Sequence, residues 1–430
     1  MYIKSHFKNY KKSSLNSYFG KKNLLKLKSL FTNLGPGPIV AAAFIGPGTV
    51  TVCTLAGVNF GFGLIWALGL SVVATVVLQE ISGRIGLVTG MDLAQLIRNQ
   101  KQNPILKVAS IVLVLLAIGL GNAAYESGNI AGSNLGLQIF WEAPVFKLGK
   151  INLQSGNFLL GIFALSLLWL GTYKTLERVL VGLVIFMSIA FIITAILTKP
   201  NWNLVLSGFI PSFDPNELTT LVALIGTTVV PYNLFLYASL AKKRWSGADA
   251  IPWMRKDIAI SIILGGLVSM AILLVGAANT SSEITNAVDV SKGLEPIFGS
   301  YAKYLMGFGL LAAGLTSSIT APLAAALVIC GVLNWSQEIQ SRSMRITMAV
   351  IVGLGILFSS LGIKPIELIT LAQLANGILL PLISGWIIYI AAQSSVLGEF
   401  KNRPSRTFFA GLIWLITLLL GLKSIWAALA

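Results

Sequence analysis

Two short stretches of this sequence place backbone-breaking and hydroxyl-bearing residues inside long apolar runs. Residues 46–49 read GPGT, and residues 227–233 read TTVVPYN. Proline lacks an N–H group and glycine adopts backbone angles that other residues avoid, so each stretch is predicted to interrupt a helix. Unpaired backbone groups are costly in hydrocarbon, and a break is tolerated where it lines a polar cavity. The freed groups could bind a small ion, although a proline kink that serves packing alone is the simpler alternative for either stretch by itself.

The composition places both breaks in a membrane. The chain of 430 residues is 55% hydrophobic and 11% charged, and its mean hydropathy is +0.82. Soluble domains carry about 25% charged residues. Apolar runs of ~20 residues, long enough to cross ~30 Å of hydrocarbon, recur along the chain. These features predict an all-α polytopic membrane protein in contact with the lipid bilayer, without the short alternating segments of a β-barrel.

Eleven transmembrane helices are predicted, near residues 37–60, 62–82, 105–137, 156–172, 179–198, 218–241, 257–279, 302–333, 344–362, 366–393 and 406–428. With a cytoplasmic N-terminus, 24 of the 31 Lys and Arg fall in cytoplasmic segments and 7 in outside segments. This bias predicts a multi-pass protein of the cell membrane with its C-terminus outside.

Residues 1–34 are predicted to form a basic cytoplasmic tail. Eight lysines in residues 1–28 contribute to the net charge of +16. Such a segment before the first span is typical of contact with anionic lipid. The lysines are not interleaved with a zinc or helix-turn-helix pattern, so nucleic acid is not an expected partner.

The two breaks fall in spans 1 and 6, at corresponding positions of two five-span halves. Matched breaks of this kind point to an inverted-repeat secondary transporter. We therefore predict a transporter core over residues 35–400, with repeats at about 35–200 and 215–395, and an additional helix 11 over 401–430.

Four stretches carry a family resemblance: LQEISGRIGLVTGMDLAQLIR at 78–98, the segment with Pro231, Asn233 and Leu234, AAGLTSSITAPLA at 312–324, and LAQLANGILLP at 371–381. They resemble spans 2, 6, 8 and 10 of the Nramp family of proton-coupled divalent-metal transporters. The resemblance covers nearly the whole chain after residue 34. It implies a LeuT-type 5+5 inverted repeat with helices 1 and 6 broken.

The expected metal site departs from the family pattern. The family's D-P-G-N break is Gly46-Pro47-Gly48-Thr49 here, so the aspartate and asparagine ligands are missing. Its A-x-x-M segment is TTVV at 227–230, which removes the thioether. The family's two histidines of span 6 are Tyr232 and Tyr237, and the chain's one histidine is His6 in the tail.

The resemblance and the breaks together give a set of predicted substrate-binding residues, all uncharged: Gly46, Gly48, Thr49, Thr227, Thr228, Val230, Tyr232, Asn233 and Gln373. Gln373 occupies a family ligand position and keeps the family's residue. A dehydrated divalent cation needs anionic ligands to offset its desolvation, and this set offers none. No confident metal ligand is therefore predicted.

Coupling residues are predicted on spans 3 and 8. Glu126 resembles the family's third-span glutamate, and an acid inside a membrane is a functional candidate. A protonated, hydrogen-bonded structural glutamate is the equal alternative, since the acid that the family places three residues earlier is Ala123 here. Relatives with this fold hold sodium between span-8 hydroxyls and span-1 carbonyls. By that likeness Thr316, Ser317 and Thr320, with the carbonyls near Ala43 and Gly46, become candidates for Na⁺, while H⁺ stays open.

Three functional hypotheses follow, and none is an enzyme, because no nucleophile–base pair or metal-ligand cluster is found. The first is transport of a small oxyanion, such as bicarbonate or a small carboxylate, since a helix N-terminus beside a neutral site favours negative charge. The second is transport of a divalent cation such as Mg²⁺ or Mn²⁺ through an altered site. The third is a non-transporting, sensor-like relative. No cofactor is expected beyond a coupling ion; the oligomeric state stays open, and a monomer is compatible with the sequence.

Overall fold

A computed structural model describes residues 35–37, 40, 45–99, 104–148, 151–171, 174–212, 214–278 and 284–429. The predictions made for the basic tail, for His6 and for the carbonyl of Ala43 lie outside these residues. So does most of the segment before the first break, of which residues 35–37, Val40 and Ile45 are described.

The described chain is built from helices that we number in order: α1 Pro47–Phe60, α2 Ile65–Thr89, α3 Leu93–Asn99, α4 Pro104–Leu137, α5 Ser155–Leu170, α6 Lys174–Leu197, α7 Trp202–Ser207, α8 Leu218–Thr228, α9 Pro231–Arg244, α10 Ile251–Ala277, α11 Ala287–Ser291, α12 Glu295–Phe298, α13 Ala302–Leu333, α14 Arg342–Ser359, α15 Pro365–Ala391, α16 Ser394–Leu397 and α17 Pro404–Leu429. Short 3₁₀ turns lie at Pro215–Glu217, Ala248–Ala250, Lys292–Leu294, Gly299–Tyr301 and Gly398–Phe400.

Nine segments of the described chain are long and apolar enough to cross a membrane. Of the other two predicted spans, one corresponds to the 16-residue helix α5 and one to α1 with the segment before it. Span 7 begins six residues earlier than predicted, at Ile251, because Pro252 starts the helix and the charged residues that follow it are helical. Proline suits the first turn of a helix, where its missing N–H has no partner to lose.

A two-stranded antiparallel sheet lies in the loop before α5, between two predicted spans, where the sequence analysis assigned no secondary structure. Strand β1, Val145–Leu148, pairs with β2, Ile151–Gln154, in a register that sets Val145 opposite Gln154. The segment VFKL followed by INLQ is rich in residues that favour strands, and this signal was missed because the loop was taken only as a connection.

The long helices α4 and α13 pack directly against each other at the centre of the bundle, and α14 and α15 also lie against α4. Glycine allows the close approach: a Cβ added to Gly314 on α13 would overlap the Ser133 side chain and the backbone of α4. Helix α1 packs on α10 and α8, and α8 packs on α15. The broken segments therefore sit between helices from both predicted repeats.

A carboxylate on span 7 holds the described residues that precede the first break. Asp257 on α10 accepts hydrogen bonds from the backbone N–H groups of Gly35 at 2.7 Å and Gly37 at 2.8 Å. The Tyr237 hydroxyl on α9 donates to the same carboxylate at 3.0 Å. This one side chain links the start of span 1 to both span 6 and span 7.

Candidate functional site

The first break lies just before α1. Ile45 and Gly46 are not helical, and Gly46 has an extended backbone with φ −98° and ψ −174°. The helix begins at Pro47, and the N–H of Val50 donates to the Gly46 carbonyl at 3.2 Å. The helix after the break begins earlier than predicted, because Gly48 and Thr49 already belong to it.

The second break is confined to two residues. Helix α8 ends at Thr228, Val229 and Val230 adopt non-helical angles (φ −102°, ψ 77° and φ −83°, ψ 122°), and α9 begins at Pro231. The predicted interruption ran from 227 to 232, whereas Thr227 and Tyr232 are helical. Proline explains the sharp restart, because its fixed φ suits the first helical turn.

The two breaks meet through a pair of hydroxyl groups. Thr49 Oγ1 on α1 and Thr227 Oγ1 on α8 lie 2.9 Å apart, although the residues are 178 positions apart in the chain. Gln373 on α15 covers the same region: a Cβ added to Gly48 would overlap its side-chain amide, and one added to Gly226 would overlap its backbone. The structure therefore brings together Gly48, Thr49, Thr227 and Gln373, as predicted.

Two of the remaining predicted binding residues, Thr228 and Tyr232, are held by contacts of their own. The Thr228 hydroxyl donates to the Leu224 carbonyl at 3.0 Å, so its proton is used within its own helix. Tyr232 packs edge-on against Tyr125 of α4, with ring centroids 5.4 Å apart. Tyr125 was missed by the sequence reasoning: its hydroxyl is 3.8 Å from a Cβ built at Gly46, beside the first break. Its position directly before Glu126 was the available signal.

Three buried oxygen atoms on the predicted residues have no hydrogen-bond partner in the described part of the chain. They are Asn233 Oδ1, Gln373 Oε1 and Tyr232 Oη, the last of which faces the Tyr125 hydroxyl without a hydrogen bond of normal geometry. All three residues are nearly inaccessible to solvent, with 4%, 1% and 1% of their surface exposed. Leaving a buried polar group unpaired costs about 1–3 kcal/mol. Each of these oxygens could accept a hydrogen bond from a bound water or contact an ion.

The electrostatic character of the site is neutral. Among the described residues, no group of three or more His, Cys, Asp or Glu side chains is placed to hold a metal ion. The side chains at the breaks offer hydroxyl and amide groups, as predicted. The site could therefore hold an ion through dipoles and hydration water, without a fixed countercharge.

Glu126 lies behind the site, fully buried between three helices. Its Oε2 accepts from Asn129 Nδ2 at 3.3 Å, and its Oε1 has no hydrogen-bond partner among the described residues. Ser318 of α13 faces the carboxyl group, and Gly355 of α14 packs so closely that a Cβ there would lie 2.6 Å from the Glu126 Cγ. Although Glu126 directly follows Tyr125 in the sequence, its carboxyl group points toward α13 and α14.

The predicted coupling hydroxyls of α13 divide into two kinds. Thr316 donates to the carbonyls of Ala312 at 3.0 Å and Ala313 at 2.9 Å, and Thr320 donates to Thr316 at 3.0 Å. Both are bonded within their own helix. Ser317 is placed differently, because its Oγ lies 3.0 Å from a Cβ built at Gly46. Ser317 is therefore the member of the predicted set that reaches the first break.

Comparison with known proteins identifies the family of this chain. The family described as natural resistance-associated macrophage protein-like, Nramp, has a sequence model that matches residues 37–427. This chain belongs to the Nramp family. The match leaves out little more than the basic tail, so the chain is a secondary transporter of that family and a multi-pass membrane protein.

Named Nramp relatives are similar over most of their length. The divalent metal cation transporter MntH 1 of Pseudomonas aeruginosa is 29% identical, and the alignment covers 87% of each chain. The MntH transporter of Latilactobacillus sakei is 28% identical over 94% of this chain and 90% of the relative. These relatives are named as transporters of metal cations, and none of the names supports an oxyanion or an enzyme.

Solved structures confirm the predicted fold class. The manganese transporter of Eremococcus coleocola aligns with a TM-score of 0.74 and 22% identity, covering 93% of this chain and 87% of that chain. The structure of MhsT in complex with L-phenylalanine aligns with a TM-score of 0.60 and 18% identity over 90% of this chain and 98% of that chain. The Nramp chain described here is an all-α polytopic membrane protein of the LeuT type. The exact repeat and tail boundaries stay predictions.

Proposed function

We propose that this Nramp chain transports a divalent cation that keeps part of its water shell, with Mg²⁺ as the first candidate. The proposal rests on the Thr49–Thr227 hydroxyl pair that joins the two breaks, and on three unpaired buried oxygens of predicted site residues, Tyr232 Oη, Asn233 Oδ1 and Gln373 Oε1. Carbonyl-type amide oxygens and hydroxyls are ligands for hard cations. The relatives named as divalent metal cation transporters support the same class of substrate.

Hydration reconciles this substrate with a neutral site. A bare divalent ion would leave water at a large free-energy cost that uncharged ligands do not offset. Mg²⁺ loses its water reluctantly and is commonly bound with several waters in place. The waters bound to the metal would donate hydrogen bonds to the unpaired protein oxygens. The oxygens of these waters would stay coordinated to the metal. A neutral cavity with several acceptors suits such a partly hydrated ion.

The same chemistry disfavours manganese and later metals. Soft thioether ligands favour the later transition metals, and the family's methionine position is Val230 here. The aspartate of the first break is Gly46, so a compact anionic ligand is also missing. We expect Mn²⁺ uptake to be weak compared with Mg²⁺ uptake.

Transport requires the hydroxyl pair between the breaks to open. Thr49 and Thr227 are completely buried, and their 2.9 Å contact joins α1 to α8. An ion arriving between the two breaks would take these hydroxyls as ligands and so release the two helices from each other. At the start of span 1, the Asp257 carboxylate must likewise release the N–H groups of Gly35 and Gly37 if that segment moves.

One observation favours a second candidate, a small oxyanion. Helices α1 and α9 both begin at a break, at Pro47 and Pro231, and a helix N-terminus carries roughly half a positive charge. With no aspartate at Gly46, this positive potential is not neutralised at the first break. Bicarbonate or a small carboxylate could accept from the backbone N–H groups there.

Uptake into proteoliposomes separates the two candidates. The purified protein would be offered Mg²⁺, Mn²⁺, bicarbonate and acetate at equal concentration, with protein-free vesicles as the control. We expect saturable Mg²⁺ uptake that greatly exceeds Mn²⁺ uptake. Saturable bicarbonate or acetate uptake without cation uptake would replace the cation proposal with the oxyanion one.

The coupling ion is proposed from geometry as well. Glu126 is a buried acid beside Ser318 and Asn129, which suits a proton that binds and leaves during the cycle. Sodium is the alternative, with Ser317 and the backbone near Gly46 as its ligands. Uptake driven by a pH gradient but not by a sodium gradient would favour Glu126, and the reverse would favour Ser317.

A further inference from the structure

We infer that a groove between α2, α10 and α17 binds an anionic phospholipid, with the headgroup at the start of α17 and an acyl chain along α2. The groove has a volume of about 370 Å³. It lies at the end of the bundle that the loop charges predict to be cytoplasmic. It is separate from the breaks, so the inference does not rest on the transported substrate.

The polar end of the groove contains a buried amide N–H donor that has no acceptor among the described residues. Asn402 lines the groove and is 4% exposed. Its Oδ1 accepts from the Arg84 guanidinium, which fixes which end of the amide is the oxygen. Its Nδ2 has no hydrogen-bond partner among the described residues. A phosphate oxygen in the groove would satisfy this N–H group.

Charge at the same end favours an anion. Glu80 accepts hydrogen bonds from Arg255 at 2.7 Å and from Arg84 at 3.3 Å, so one carboxylate faces two guanidinium groups. Arg406 also lines the groove, is exposed, and forms no ion pair with any residue that the structure describes. Three cations around one carboxylate leave a surplus of positive charge. Arginine matches phosphate in geometry as well as in charge.

The rest of the groove suits a hydrocarbon chain and not a free phosphate. Its walls are Val76, Val77 and Ile81 of α2 and Phe409 of α17. Phe409 is 47% exposed and lies three residues, or ~4.5 Å, further along α17 than Arg406. Apolar surface thus continues from the cationic end toward the membrane interior. Basic pockets between membrane helices on the cytoplasmic side are a known setting for acidic lipid headgroups.

The direct test uses the full-length protein, purified in detergent and stripped of lipid. Native mass spectrometry would count bound dioleoyl phosphatidylglycerol, the matched phosphatidylcholine, and glycerol phosphate, the soluble headgroup. We expect one tightly bound phosphatidylglycerol per chain and about tenfold weaker phosphatidylcholine binding. Equal binding of both lipids would overturn the charge argument. Displacement of the lipid by millimolar glycerol phosphate would assign the groove to a soluble phosphate compound instead.

Two variants and one matched control locate the site. Asn402→Asp keeps an oxygen for Arg84 but replaces the free N–H donor with a charged oxygen, and Arg406→Gln removes the unpaired cation. Each should weaken phosphatidylglycerol binding at least tenfold. Arg403→Gln removes another exposed arginine, which does not line the groove, and should leave binding unchanged. If Arg406→Gln and Arg403→Gln behave alike, the groove is not the site; this comparison holds even if Asn402→Asp fails to fold.

Discussion

The helix breaks and the Glu80 cluster are two buried polar regions of the same bundle with opposite solutions to burial. At the breaks the side chains are neutral, and several oxygens lack a partner. Around Glu80 the groups are charged, and the carboxylate is held by Arg84 and Arg255. A buried charge is tolerated where it is paired, whereas a buried neutral group can be left open at a smaller cost. Because of this difference, we propose that an ion binds at the neutral breaks, whereas we expect loss of a partner at the Glu80 cluster to lower stability.

The largest expected effect is on stability at the charged cluster. Arg84 is 2% exposed and donates to Glu80, Asn402 and the Phe400 carbonyl. Arg84→Met should destabilise the protein by about 3 kcal/mol, because it removes the charged donor from Asn402 and the Phe400 carbonyl and leaves Glu80 with Arg255 alone. Thermal unfolding in detergent would measure this loss.

A matched variant sharpens that prediction. The Arg255 side chain is 41% exposed, so Arg255→Met should cost less than about 1 kcal/mol. If the two variants lose the same free energy of unfolding, burial does not determine how much each arginine contributes to stability.

The next effect concerns transport and not stability. Thr49→Val and Thr227→Val each remove one hydroxyl of the 2.9 Å pair with little change in shape. We expect each to lower the apparent affinity for Mg²⁺ about tenfold, which corresponds to ~1.4 kcal/mol. The double variant should lose little more, because the two hydroxyls act as one unit. Uptake rates against Mg²⁺ concentration would test this, and unchanged affinity in both single variants would remove the hydroxyl pair from the site.

Replacement of Glu126 by glutamine should have a smaller, more specific effect. Glutamine keeps the hydrogen bond with Asn129 but cannot ionise, so Glu126→Gln should reduce the dependence of uptake on a pH gradient severalfold. The melting temperature should change little. If uptake and its pH dependence both stay as in the original protein, Glu126 is a structural residue.

The smallest effects are expected for the α13 hydroxyls that bond to their own helix. Thr316→Val and Thr320→Val should leave uptake and its sodium dependence within about twofold of the original protein, because their protons are used within α13. Ser317→Ala, which removes the hydroxyl beside Gly46, should change uptake more. A larger effect from Thr316→Val than from Ser317→Ala would contradict this order.

Much of the fold could be predicted from sequence because long apolar runs and two proline-containing breaks are local signals. Pro47 and Pro231 start helices where the pattern indicated, since proline restricts its own backbone wherever it occurs. The start of α10 was predicted at residue 257, which is too late, because the charged residues Arg255 and Lys256 before it are also helical. The β1–β2 hairpin was not predicted, because strands of four residues carry little sequence signal beside the long apolar runs.

The site could be predicted less completely, because its geometry depends on contacts between distant segments. The resemblance pointed to Thr227 and Gln373, and the structure places both beside α1. Nothing local reveals that Tyr125 lies over the first break, or that Thr316 bonds within its own helix while Ser317 faces Gly46. These contacts depend on how α4 and α13 are rotated about their own axes. That rotation is set by the packing of whole helices and cannot be read from single residues.

The central claim, that the neutral breaks bind a cation, is tested most directly by Gly46→Asp. The backbone of Gly46 is extended with φ −98°, which any residue can adopt, and the Ser317 Oγ at 3.0 Å is the nearest obstacle to a new Cβ. Gly46→Asn is the matched uncharged control, and both changes would also be made with Ser317→Ala to relieve this contact.

We expect Gly46→Asp to lower the Mg²⁺ concentration for half-maximal uptake at least tenfold relative to Gly46→Asn, because it adds the missing anionic ligand. A unit charge 4 Å away at an effective dielectric near 20 contributes about 4 kcal/mol, so an oxyanion substrate would instead lose roughly a thousandfold in affinity. Loss of uptake in Gly46→Asp, deepening as pH rises while Gly46→Asn stays active, would contradict the cation assignment.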